Sequence, residues 1–92
     1  MVVGVLKMDL YLPESGSLKS KRFVVKSLKD RLRNKFNVSV AEEANDLWQR
    51  VSIFCACISN DVKQIHSTLE SVKNMAEKET MAELLDYSVE IT

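Results

Sequence analysis

Apolar and polar residues alternate from the start of the chain. Val2, Leu6, Met8, Leu10 and Leu12 fall on one side of a two-residue period, and Val3, Val5, Lys7, Asp9 and Tyr11 on the other. This is the pattern of a strand with one apolar and one mixed face. Pro13, Gly16 and Ser17 end it. Ser17 suits a helix N-cap, and Val25, Leu28, Leu32 and Phe36 then recur at steps of three and four residues, which predicts a first helix from Leu18 to near Asn37. Val38 to Glu43 reads as a short strand. A polar turn at Ala44, Asn45 and Asp46 separates it from a longer one, Leu47 to Ile58, rich in β-branched and aromatic residues. Ser59, Asn60 and Asp61 are helix starters, and Val62, Ile65, Leu69, Val72 and Ala76 trace one face of a second helix behind them. Leu85, Tyr87, Val89 and Ile91 then alternate with Asp86, Ser88 and Glu90 in a half-buried last strand.

The predicted order is βαββαβ. It implies an α+β domain of the ferredoxin-like, split βαβ kind: a four-stranded antiparallel sheet with the first and third strands central and both helices on one face. Ninety-two residues, 46% apolar and 28% charged, fit a single domain over residues 1–92 with a modest core.

Charge changes this picture. The chain is neutral overall, yet eight of its thirteen Lys and Arg residues and only one of its thirteen acids lie between Lys19 and Lys35. That stretch carries a formal +7 and the remainder a formal −7. Lys19, Arg22, Lys26, Lys29 and Arg33 follow helical steps, so they form one stripe beside the Val25, Leu28, Leu32 seam. Asp30 alone is too few carboxylates to neutralise five cations on the same helix. Lys19 and Arg22 also sit at the positive end of the helix dipole, where a cation costs about 0.3–1 kcal/mol. An anion bound at Gly16, Ser17 and Leu18 by Lys19, Lys21 and Arg22 would offset that cost, as would carboxylates such as Glu14. The stripe therefore predicts contacts to a phosphate backbone through Lys19, Lys21, Arg22, Lys26, Lys29 and Arg33, with Arg50 and Trp48 as further contributors.

The uncovered sheet face is the second candidate surface. Alternation assigns it Lys7, Asp9 and Tyr11 from the first strand and Trp48, Arg50, Ser52 and Phe54 from the third. Aromatic side chains and a cation on central strands stack single-stranded bases in some sheets of this type, but Asp9, Asp86 and Glu90 would repel phosphate there. Burial of Val5, Tyr11, Trp48 and Phe54 against a second copy or another protein is the favoured use of that face.

Other chemistry has little to build on. Cys55 and Cys57 lie two apart in an apolar strand, about 6.5 Å from one another on one face, which suits reduced buried thiols and not a disulfide. With one histidine, His66, the chain lacks a four-ligand zinc pattern, and no metal or cofactor is expected. No nucleophile has an evident base partner, no phosphate-binding glycine loop is present, and Glu42 and Glu43 point to opposite faces of a strand. Enzyme activity and a small-molecule substrate are not expected. The run Val2 to Leu12 is too short to span a bilayer and is broken by Lys7 and Asp9, so no membrane role is expected and a cytoplasmic location is the default.

Four segments in order carry a resemblance: 16–22 (GSLKSKR), 37–42 (NVSVAE), 47–50 (LWQR) and 59–61 (SND). Together they resemble the YlxP-like family of small bacterial proteins, a domain family of unknown function. The resemblance implies a ferredoxin-like fold in a cytoplasmic bacterial protein encoded among genes of translation initiation and ribosome maturation. By association it favours RNA or the ribosome as partner. The chain departs from the family pattern at 43–46, a shorter turn without a His-Gln pair, so a role tied to that turn does not carry over.

Overall fold

A computed structural model describes residues 1–13, 16–43 and 49–92. Six elements follow one another: β1 (Val2–Tyr11), α1 (Leu18–Lys35), β2 (Ser39–Glu43), β3 (Arg50–Ser59), α2 (Val62–Glu77) and β4 (Glu83–Ile91). The strands make one sheet in the order β2-β3-β1-β4, with every neighbouring pair antiparallel. This is the ferredoxin-like arrangement that the periodicity predicts, with β1 and β3 central.

Alternation along β1 decides which sheet face is covered. Leu6, Met8, Leu10 and Leu12 are at most 1% exposed, whereas Val3, Val5, Lys7, Asp9 and Tyr11 are only partly covered. Leu6 stands opposite Cys55 of β3, and Cys55 opposite Val40 of β2, so the buried face continues across three strands. Val24, Val25, Leu28 and Leu32 of α1 and Ile65, Leu69, Val72 and Ala76 of α2 close the core from the same side. Both helices start at the expected caps. The Ser17 hydroxyl accepts from the Ser20 N–H, and the Asp61 carboxylate accepts from the Lys63 N–H.

The bounds of three strands differ from the sequence expectation. β2 begins at Ser39, and β3 runs from Arg50 to Ser59; Leu47 and Trp48 lie outside the described residues. β4 begins at Glu83, and its pairing with β1 slips by one residue: Asp9 faces Asp86 while Leu10 faces Leu84. This bulge gives Leu84, not Leu85, the place against the core, and Leu85 stays 43% exposed. Tyr87 and Val89 are 47% and 41% exposed because β4 is an edge strand and the core ends beneath it.

α2 crosses β1 at Gly4. A Cβ added there would run into the Ile65 side-chain methyl and lie 3.1 Å from Leu69 and 3.2 Å from Ile91. Ile65 and Leu69 are themselves buried, so little can give way. Gly4→Ala is expected to destabilise the fold by about 1–3 kcal/mol, read as a lower urea midpoint with an unchanged slope. An unchanged midpoint would show that α2 can lift off β1 without cost.

Both cysteines are free thiols. Burial, and then the neighbouring Cys57 thiol, push Cys55 up to about 11 against the opposing charge of Arg33; burial also raises Cys57, which is half-buried. Since the thiolate is the reactive form, alkylation of the native protein near pH 8 should leave Cys55 unmodified and reach Cys57 first. Mass spectrometry of the labelled peptides checks this. Equal native rates would mean that the sheet opens readily at β3.

Candidate nucleic-acid interface

The site grows out of the periodicity of α1. Its seam passes through Val24, Val25, Leu28 and Leu32, and Lys21 falls on that seam, four residues before Val25 and seven before Leu28. Lys21 is accordingly only 7% exposed. This corrects its assignment as a phosphate contact: it is a seam residue whose stem lies in the core layer. The other five cations of the predicted stripe keep to one flank of the helix. Arg22, Lys26, Lys29 and Arg33 join Asp30 and Glu42 in lining a groove of about 370 Å³ between α1 and β2.

The stripe is not bare, which corrects a second expectation. Asp30 lies one turn after Lys26 and one turn before Arg33 and meets both, at 2.8 and 3.5 Å. Lys29 pairs with Glu42 of β2 at 2.8 Å, and Arg33 also donates to the Val40 carbonyl at 2.9 Å. Two of these contacts fasten α1 to the edge strand. The hydrogen bond from Lys26, joined by the charges of Lys26, Arg33 and Lys29, holds the Asp30 carboxyl below its ordinary range despite opposing desolvation. Four cations and two carboxylates leave the groove lining a formal +2. Arg22 in this lining and Lys19 beside it have no ion pair among the described residues, although both lie near the helix start where the dipole disfavours them. Arg31, on the opposite flank of α1, is paired with Glu79. Burial alone would raise the Glu79 carboxyl, but the hydrogen bond from Arg31 leads the influences that bring it below its ordinary range.

Sequence reasoning missed Phe23. It is 73% exposed, one residue after Arg22, four after Lys19 and three before Lys26, on the side of α1 turned away from the core. With Lys19, Ser20 and Met81 it lines a second hollow of about 300 Å³. The signal was available, since Phe23 is out of step with the Val24, Val25, Leu28 seam.

The open sheet face lies on the other side of the molecule. Register puts Lys7 opposite Phe54, Asp9 opposite Ser52 and Tyr11 opposite Arg50, as alternation predicts. The Lys7 ammonium sits 5.7 Å from the centre of the Phe54 ring, and the Ser52 hydroxyl donates to Asp9 at 2.6 Å. Val5 and Phe54 belong to one apolar end of this face, with Val3, Ala56 and Ile58, whereas the Asp9–Ser52 pair separates Tyr11 from them. Arg50 is exposed here, across the sheet from the α1 groove, so the two do not form one site. Trp48, assigned to both candidate surfaces, lies outside the described residues. Asp86 faces Asp9, Glu90 faces Val5, Glu83 faces Tyr11 and Glu43 faces Ser52, which gives the open face an acidic border. That border makes it a poor platform for a polyanion.

Among the described residues no group of three His, Cys, Asp or Glu side chains is placed to hold a metal ion, and no helix is long and apolar enough to cross a membrane. The family model described as "Protein of unknown function (DUF503)" matches residues 3–89. The "Uncharacterized protein YlxP" of Bacillus subtilis (strain 168) is 38% identical over 72 residues, covering 77% of this chain and 78% of that one. The chain therefore belongs to this YlxP-like family. Among solved structures, the de novo designed protein Foldit4 is similar with a TM-score of 0.56 at 17% identity, over 100% of this chain and 97% of that one. The structural-genomics protein YJCS is similar with a TM-score of 0.57 at 11% identity, over 96% of each chain. At such identities the likeness is one of fold.

The two kinds of cation on α1 separate on mutation. Lys21→Glu, which brings a carboxylate into the seam, is expected to cost about 2–4 kcal/mol. Lys19→Glu and Arg22→Glu, at exposed positions near the helix start, should stay within about 0.5 kcal/mol of the parent or stabilise it slightly. Urea denaturation of the three variants compares them; equal losses would contradict the division of α1 into seam and surface cations.

Proposed function

We propose that the protein is a small cytoplasmic binding module for the sugar-phosphate backbone of RNA, free or within the ribosome, and that α1 supplies the contact. The observation that carries this reading is the groove between α1 and β2, where the exposed Arg22, Lys26 and Arg33 and the half-buried Lys29 stand around Asp30 and Glu42. Lys19 extends the cationic row, and the acidic border of the open sheet face restricts a polyanion to the helix side.

The carboxylates act as internal counter-ions. Exposed ion pairs are worth only about 0–1 kcal/mol, so a phosphate can replace Asp30 as the partner of Lys26 at little cost. The same pairing keeps the row from repelling itself when no ligand is bound. Because part of the charge is already neutralised, about three phosphates would be engaged, and on single-stranded RNA the logarithm of affinity should fall with the logarithm of salt at a slope of about −2.

Removing the counter-ions tests the idea in the direction of gain. Asp30→Asn and Glu42→Gln together should tighten binding to a short single-stranded RNA and steepen the salt slope by about one, while Arg22→Glu should weaken and flatten it. Fluorescence anisotropy over a salt series reads both. If the cations serve only to fasten α1 to β2, the double variant loses stability and gains no affinity, and the proposal fails. A second reading, pairing of two copies through the open face, is favoured by the apolar end at Val3, Val5, Phe54 and Ile58, the last 63% exposed. Its sign would be a dimer, measured by sedimentation, that Phe54→Glu dissociates.

A further inference from the structure

Phe23 is the most exposed aromatic side chain among the described residues, and its exposure of 73% has no account within the fold. Burial of an aromatic ring normally stabilises by well over 1 kcal/mol, yet this ring stands on the outer side of α1, where no core residue faces it. Its surroundings are specific. Lys19 lies one helical turn before it, Lys26 one turn after it and Arg22 beside it, while Ser20 and Met81 complete the hollow of about 300 Å³. Met81, 43% exposed, reaches this hollow from the segment between α2 and β4, so two separate parts of the chain build it.

From this geometry we infer that the hollow beside Phe23 receives one unpaired nucleobase, stacked on the Phe23 ring and bordered by Met81 and Ser20, with Lys19 and Arg22 taking the phosphates on either side. The inference rests on the phosphate-backbone reading and deepens it: the RNA is single-stranded at this point, since a base held in a duplex presents no free face to a ring. An apolar platform ringed by cations suits a ligand that alternates flat apolar surfaces with negative charges, and a nucleic acid strand does so at every residue. A protein partner of purely apolar contact surface would leave Lys19, Arg22 and Lys26 unmatched. Ser20 adds a hydroxyl that can donate to or accept from a base edge, so base preference is expected to be weak.

The experiment compares a short oligoadenylate with an abasic strand of the same length, by anisotropy over a salt series, for the parent protein, Phe23→Ala, Phe23→Trp and Arg22→Glu. The parent should bind the base-bearing strand about tenfold more tightly than the abasic one. Phe23→Ala should abolish that preference while keeping the abasic affinity and the salt slope, and Phe23→Trp should retain it. Arg22→Glu should weaken both strands and flatten the slope. Circular dichroism should report an unchanged fold for the Phe23 variants, as the ring is exposed. A preference that survives in Phe23→Ala, or a parent protein without preference, overturns the stacking site and leaves the backbone reading standing. Binding of neither strand overturns both. Loss of a protein from a cell-extract pull-down with Phe23→Ala, with RNA binding unaltered, would assign the ring to a protein partner and likewise overturn the inference.

Discussion

One buried face governs this molecule. Leu6, Met8 and Leu10 on the central strand β1, with Val51, Ile53 and Cys55 on β3, need cover from both helices on the same side, and every other property follows from that demand. α1 spends one flank on the seam, which leaves its remaining surface to solvent and concentrates the basic residues there. α2 crosses close over β1 because Gly4 offers no side chain. The opposite sheet face is left open, and the chain has furnished it with a half-covered apolar end and an acidic border.

The two sides of the sheet thus differ in charge as well as in covering. On the helical side, cations outnumber carboxylates along the α1 groove; on the open side, Asp9, Asp86, Glu90, Glu83 and Glu43 outnumber Lys7 and Arg50. A neutral protein with such a division orients in the field of a charged partner before touching it. On the helical side the exposed Phe23 ring stands among Lys19, Arg22 and Lys26, and this combination distinguishes α1 from an ordinary solvated helix.

Much of the fold was legible because it rests on local periodicity. The alternation of β1, the seam of α2 and the caps Ser17 and Asp61 are each contained within a few consecutive residues, and their order alone fixes the arrangement. The β4 bulge was not legible, because Leu84 and Leu85 are equally apolar and only the pairing with β1 chooses between them. The site divides in the same way. The basic flank of α1, the bridging role of Asp30 and the seam position of Lys21 all follow from steps of three, four and seven, although counting charges without placing them on the helix hid the last two. Glu42 as partner of Lys29 lies thirteen residues away on another element, and nothing short of the tertiary structure brings it there.

The outer strands of the sheet have a consequence of their own. β2 is five residues long, while the nine-residue β4 is bent by a bulge and shows carboxylates at Glu83, Asp86 and Glu90. Short length, irregular backbone and repeated negative charge are the devices that keep a free strand from recruiting its like from a neighbouring molecule. The half-exposed Leu85, Tyr87 and Val89 can therefore persist at the rim without templating the addition of a strand from another molecule.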